Sequence, residues 1–141
     1  MKQALTSTLH EIVWLMDQKA DQLLKRDFGI SFSWFHLMLT LQSVQPSTQH
    51  HLAVCLNYSD PAVSKLLVPI HQAGYVSIHP DPEHGRRRIV RLTPAGEKLT
   101  SSADTLLTRE FGRVLRDADI NLTAYTTMST TIVETLRKDK S

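Results

Sequence analysis

Between Gln49 and Leu66 the residue order leaves the backbone few options. Thr48 is a good N-cap, apolar residues recur after it at helical spacing, and Asn57 is a residue type that tolerates a left-handed backbone. Asp60-Pro61 then reads as an N-cap followed by a helix-opening proline, and the helix it starts runs to about Ala73, where Gly74 stops it. Two short helices joined by so tight a turn must cross steeply, and only a small side chain fits where they meet; Ala53 stands there. Leu52, Leu56, Tyr58, Val63 and Leu66 fall on the faces expected to pack together. Alone, the pattern fits a helix-turn-helix and also two core helices of an ordinary bundle.

The next segment favours the first reading. Tyr75–Ile78 has the look of a strand, His79–Gly85 is rich in turn residues, and Arg87–Leu92 reads as a returning strand. Arg86, Arg87, Arg88 and Arg91 fall within six positions of a chain whose formal net charge is only +2. A hairpin with a basic tip directly after a helix-turn-helix is a wing, able to reach a duplex at a second place. The bland alternative is a solvated basic hairpin without a partner.

Around this pair the chain is helical. Leu5 to Asp27 places Leu5, Leu9, Ile12, Val13, Met16, Leu23 and Leu24 at helical spacing and ends near Gly29. A second helix follows Ser31, carries Trp34, Phe35, Met38, Leu39 and Leu41, and breaks at Ser43 to Pro46. Thr93-Pro94 opens a long helix with Leu99, Leu106, Leu107, Phe111, Val114 and Leu115. A last helix from about Leu122 holds Tyr125, Met128, Ile132 and Leu136. The expected fold is mainly α with a small β-hairpin wing, a single domain over residues 1–141. Residues 30–98 would be the winged lobe; residues 1–29 and 99–141 would be dimerisation helices. The leucine-rich first, fifth and sixth helices carry more apolar surface than a small winged domain can cover, which points to a homodimer.

The bulk numbers are compatible with this. No apolar run approaches the length of a membrane span, and the N-terminus lacks the pattern of an export signal. A single cysteine, Cys55, cannot form an internal disulfide, so a reducing cytoplasm is the expected location.

On double-stranded DNA, the helix after Asp60 would enter the major groove by its N-terminal end, presenting Pro61, Ala62, Ser64 and Lys65. Ser64 and Lys65 can reach base edges or a phosphate, and Ala62 can touch a thymine methyl. Thr48, Gln49 and His50 would lie near phosphates; for Thr48 a helix cap is an equally good account, and both roles are compatible. Arg86 at the hairpin tip suits the minor groove, with Arg87, Arg88 and Arg91 available for phosphates. Strand alternation turns Val90 and Leu92 inward and Arg91 outward, with Arg88 on the inner side near its edge.

These residues resemble the MarR family of bacterial and archaeal regulators over nearly the whole chain. The stretches that carry the resemblance are Ile30-Ser31-Phe32-Ser33-Trp34-Phe35, Thr48-Gln49-His50-His51-Leu52-Ala53 and Val63-Ser64-Lys65-Leu66. Ala73-Gly74-Tyr75-Val76, Asp81-Pro82-Glu83, Arg86 and Val90-Arg91-Leu92-Thr93-Pro94-Ala95-Gly96 follow in order. The resemblance implies a homodimer with interlocked terminal helices and one recognition helix and wing per subunit on a pseudo-palindromic operator. Such proteins are mostly repressors, released by a small phenolic or aromatic ligand, by oxidation or by a metal. Three departures stand out. His84 occupies the place where the family's wing usually has an acidic residue, so either Asp81 takes over bracing the wing or the wing is looser. Pro69 lies inside the recognition helix, where a bend or change of geometry is expected. Pro61 and Ala62 offer no side-chain hydrogen bond, so base readout would be thin.

Other sites weigh less. Cys55 with His51 one turn earlier could activate a thiol or bind a metal, but packing is the simpler account. The histidines His50, His51, His79 and His84 have no metal-ligand spacing with carboxylates, so no metal or other cofactor is expected. His36 suits either core packing or a polar contact. Asp117 and Asp119 fit helix capping, and Trp14 and Trp34 either anchor the core or line an effector pocket. No catalytic motif is present, so an enzyme is not expected. The alternatives to a DNA-binding regulator are a winged-helix interaction module without DNA binding and a metal- or redox-responsive regulator.

Overall fold

The computed structural model describes residues 4–140, in the order α1 (Leu5–Phe28), α2 (Phe32–Val44), β1 (Ser47–Thr48), α3 (Gln49–Leu56), α4 (Asp60–Gln72), β2 (Val76–Pro80), β3 (Arg88–Leu92), α5 (Pro94–Asp117) and α6 (Leu122–Lys138). The chain divides into two compact units, one up to Thr105 and one from Leu106. The mainly helical architecture with a small sheet is the one expected.

Local chemistry accounts for the boundaries. Gly29 ends α1 in the left-handed region (φ 68°), and its N–H donates back to the carbonyls of the last turn. The Ser31 hydroxyl accepts from the Trp34 N–H and opens α2. The Thr48 hydroxyl accepts from the His51 N–H and opens α3, and Asn57 (φ 55°) closes it with the left-handed turn its side chain tolerates. At α4 the cap is Ser59, whose hydroxyl accepts from the Ala62 N–H. Asp60 is thus the first helical residue and not the cap, a shift of one position. A proline is as comfortable in the second helical place, where no intrahelical donor is required, as in the first. The helix continues through Pro69 and stops three residues later, with Gly74 (φ 82°) in the turn that follows.

The first unit is built on α2, α3 and α4 and a sheet. Leu37, Met38, Leu41, Leu52, Ala53, Val63, Leu67, Ile70, Val76 and Val90 are among its buried apolar side chains, with Leu24 and Ala20 from the second half of α1. Two expected packing positions differ. Leu67 is buried where Leu66 is only half-buried, and Tyr58 is 38% exposed, meeting the His36 ring edge-on at 6.4 Å. A helix stripe is wide enough for either of two adjacent residues, and the crossing angle selects between them.

The sheet has three strands where a two-stranded hairpin was expected, in the order β1-β3-β2, all antiparallel. β2 and β3 form the hairpin, with Val76 opposite Leu92 and Pro80 opposite Arg88. β1 adds Ser47 opposite Val90 and Thr48 opposite Ile89. Two residues have no period to read, so only the pairing reveals this strand. Beyond its end, the Gln45 side-chain oxygen Oε1 accepts from the Leu92 N–H at 2.8 Å, and its Nε2 donates to Glu97 at 3.2 Å. The peptide bond that follows, Gln45–Pro46, is cis.

Thr93 joins the hairpin to α5. Its N–H donates to the Tyr75 carbonyl, and its hydroxyl donates to the Gly74 carbonyl at 2.6 Å while accepting from the Gly96 N–H. Gly96 lies so close to the Tyr75 carbonyl that a Cβ there would run into it, which is why no larger residue fits.

In the second unit, Asp119 (φ 58°) turns the chain after α5, and the Asn121 side chain accepts from the Ala124 N–H to open α6. Asp117 is held by Arg113 at 2.9 Å. The capping expected of Asp117 and Asp119 therefore falls to Asn121. No described side chain of α6 is buried.

Candidate nucleic-acid interface

The free ends of α3 and α4 and the arginine-bearing hairpin converge. Thr48, Gln49 and His50 at the start of α3, Asp60 at the start of α4, and Arg86, Arg87 and Arg88 of the hairpin line one open cleft. Six of the residues singled out in the sequence are thereby brought together, and Asp60 is an addition. The positive ends of two helix dipoles lie at these starts, where an anion is favoured, although the Thr48 and Ser59 caps already take the His51 and Ala62 N–H groups. Within the cleft His50 Nδ1 lies 3.1 and 3.2 Å from the carboxylate oxygens of Asp60, both side chains being largely exposed.

The hairpin tip is ordered by its own backbone. The Asp81 N–H donates to the Arg87 carbonyl, the Arg87 N–H to the His84 carbonyl, and the His84 N–H to the Asp81 carbonyl. The Asp81 carboxylate accepts from the Glu83 N–H at 3.0 Å, the bond by which an Asp side chain imitates one more backbone turn. Asp81 braces the tip through the backbone and forms no ion pair with an arginine. Among the described residues none of Arg86, Arg87, Arg88 and Arg91 is in an ion pair, and all four are exposed. Four cations without counter-ions on one short hairpin are available to an external anion. Arg91 faces outward as alternation requires, while Arg88, at the strand end, is exposed although it shares the side of Val90.

Pro61, Ala62, Ser64 and Lys65 are exposed on the first turns of α4 and do not line the cleft. They form the protruding end beside it. Val63 and Leu67, on the opposite stripe, anchor the helix in the core.

Cys55 departs from the packing role expected of it. It is exposed, with its sulfur 3.5 Å from His51 Nε2. Among the described residues no three His, Cys, Asp or Glu side chains gather where they could hold a metal ion. A shallow groove elsewhere in the first unit is lined by Trp14, Asp17, Gln18, Asp21, Gln22 and Phe32. Trp34 does not line it; Phe32, two positions earlier, supplies the second ring. Asp21 is committed there: Lys25 Nζ at 2.6 Å and the Phe32 N–H hold its carboxyl below the usual carboxylate range. No helix is long and apolar enough, among the described residues, to cross a membrane.

Comparison with known proteins agrees with this fold. Residues 28–87 match the model of the MarR family. The DNA complex of Staphylococcus aureus MepR is 24% identical over 97% of this chain and 99% of that chain, with a TM-score of 0.79. A MepR mutant from S. aureus is 25% identical over 96% of this chain and 98% of that chain, with a TM-score of 0.72. The apo form of wild-type MarR from E. coli is 17% identical, covers 96% of this chain and 98% of that chain, and has a TM-score of 0.81. No curated protein sequence matches significantly. With the family model matched across the helix-turn-helix and most of the hairpin, and the fold shared nearly end to end, the chain has the winged helix-turn-helix fold and is similar to the MarR family over residues 28–87.

Proposed function

We propose that this regulator is a homodimeric repressor that reads a pseudo-palindromic operator, each subunit seating the N-terminal end of α4 in a major groove and its wing in the adjacent minor groove. The observation that carries the reading is the cleft that unites Thr48, Gln49 and His50 with Arg86, Arg87 and Arg88. A phosphate strand running between two grooves is met there by helix N-termini and three unpaired guanidinium groups. Pro61 and Ala62 offer only shape and a methyl contact, so Ser64 and Lys65 would make the direct base contacts, with groove geometry discriminating the rest. The MepR structure in complex with DNA supports the assignment of the duplex as partner.

Surface that the subunit leaves uncovered supports two-fold assembly. Leu5, Leu9, Val13, Trp14 and Leu15 on the first half of α1 are exposed, as are Leu122, Met128, Ile132, Val133 and Leu136 on α6. Apolar stripes on two helices are costly to leave in water and suit a second copy. The groove holding Trp14 and Phe32 is the proposed seat of a small aromatic effector that relieves repression.

Fluorescence anisotropy with the duplex upstream of the chain's own gene tests the reading. Binding should weaken steeply with salt, and Arg86→Ala should cost about 1 kcal/mol or more and make the salt dependence shallower. Undetectable or salt-insensitive binding to any duplex would favour an interaction module instead.

A further inference from the structure

His50 and Asp60 form a pair whose chemistry the cleft makes consequential. His50 Nδ1 faces both oxygens of the Asp60 carboxylate, at 3.1 and 3.2 Å. A carboxylate only accepts, so this bond places the ring proton on Nδ1. In a neutral imidazole the other nitrogen, Nε2, then has no proton and cannot donate to a phosphate. Only the doubly protonated ring can donate to Asp60 and to a phosphate oxygen at once. Among the described residues Asp60 is the one carboxylate lining the cleft, against Arg86, Arg87 and Arg88 from the hairpin, with Gln49 beside His50 on α3 and Thr48 as its cap.

We propose that Asp60 is a positioning residue that converts His50 into a charge-assisted donor to a DNA phosphate, so that each subunit takes up a proton at His50 when it binds DNA in neutral or basic solution. The proposal rests on the DNA-binding reading above. The mechanism is electrostatic. With His50 neutral, the ring still donates to Asp60, but the pair keeps the full negative charge of the carboxylate and repels an incoming phosphate. With His50 protonated, the pair is neutral overall and the ring bridges carboxylate and phosphate by two N–H donors. The proton comes from solvent and no bond other than N–H is made.

Anisotropy with a fluorescein-labelled duplex of mixed sequence, about 30 base pairs long, is sufficient, because phosphate contacts do not depend on sequence. Binding is measured at low salt at pH about 8 and about 5.5, the range in which histidine changes charge. The wild-type chain should bind about tenfold or more tightly at the lower pH, and His50→Gln should reduce that gain to about threefold or less, the remainder coming from the other histidines. Asp60→Asn, which removes the repelling charge, should bind more tightly than wild type at pH about 8 and show a flatter profile. His50→Lys, a permanent cation, should recover at pH about 8 the part of the low-pH affinity that His50→Gln loses, leaving only the share of the other histidines. Thermal melts identify variants that fold. A pair that merely braces the helix-turn-helix would lower the melting temperature of the variants and leave the pH profile of binding unmoved. Superimposable profiles for wild type, His50→Gln and Asp60→Asn would overturn the proposal while leaving DNA binding intact. A wild-type chain that binds no duplex at either pH would overturn the DNA-binding reading itself.

Discussion

Helices α4 and α6 are both amphipathic, and they dispose of their apolar stripes in opposite ways. α4 buries Val63, Leu67 and Ile70 within its own subunit and leaves Pro61, Ala62, Ser64 and Lys65 outward. α6 carries Leu122, Met128, Ile132, Val133 and Leu136, all exposed, and buries no described side chain. The same periodicity therefore means two things. In α4 it fixes where the polar end will point; in α6 it is an apolar stripe left exposed, which the proposed second copy would cover. Amphipathic pattern alone does not say which, because the hydrophobic effect is indifferent to whether the covering surface belongs to the same chain.

The contrast can be broken most forcefully on α6. Ile132→Glu combined with Leu136→Glu, at positions 59% and 58% exposed, should convert a dimer to monomers, weakening association by about 3 kcal/mol or more. Sedimentation analysis reads this directly, and an unchanged sedimentation coefficient would remove α6 from the dimer contact. The counterpart in α4 is Leu67→Ala. At 1% exposure it should lower the unfolding free energy by about 3 kcal/mol through the cavity it leaves, measured by denaturant unfolding of the monomeric double variant. In that same background Met128→Ala, at a position 57% exposed, should change stability by less than about 0.5 kcal/mol, and a large loss there would mean that the monomer covers α6 itself.

The smallest expected effect concerns α1, whose second half is buried and whose first half is not. Asp21 ties α1 to the start of α2 through the Phe32 N–H, with its carboxyl depressed chiefly by the hydrogen bond from Lys25 and then by that N–H. A folded-state value below the unfolded one contributes stability above the ordinary carboxylate range, and that contribution is lost as pH falls through the folded value. The side chain is a third exposed, so solvent screening keeps the loss under about 1 kcal/mol. Chemical denaturation between about pH 5 and pH 2 should show it in the wild type and not in Asp21→Asn. A pH profile identical in both would mean that the pair does not hold the two helices together.

Much of the reading lobe was legible from local chemistry. Thr48, Asn57 and Gly74 each do at a helix end what their side chains, or lack of one, favour, and Ala53 is buried among the helices as the crossing demanded. The arginines of the hairpin could be counted before they could be placed. What escaped depended on contacts remote in sequence. β1 is visible only through its pairing with β3, and Gln45 matters because the chain returns to bring Leu92 beside it. Asp60 looked like a cap because Asp before Pro usually suffices as one; the serine before it took the role and left the carboxylate for His50. Cys55 and Tyr58 lie on positions that periodicity alone assigned to packing, and the short α3 has too few turns to average out such errors.

Thr48 belongs to two structures at once: it is the last residue of the strand that pairs with the hairpin and the cap that starts α3. There is no spare residue between them in which slack could accumulate. The lobe thus works like a fixed gauge, with the interval between its two points of contact machined into the backbone. Lifting the hairpin away from its seat would unpair Thr48 from Ile89 and strain the hydroxyl that holds the first turn of α3. A signal that loosens the grip of such a lobe is more economically delivered by carrying it as a block than by bending it.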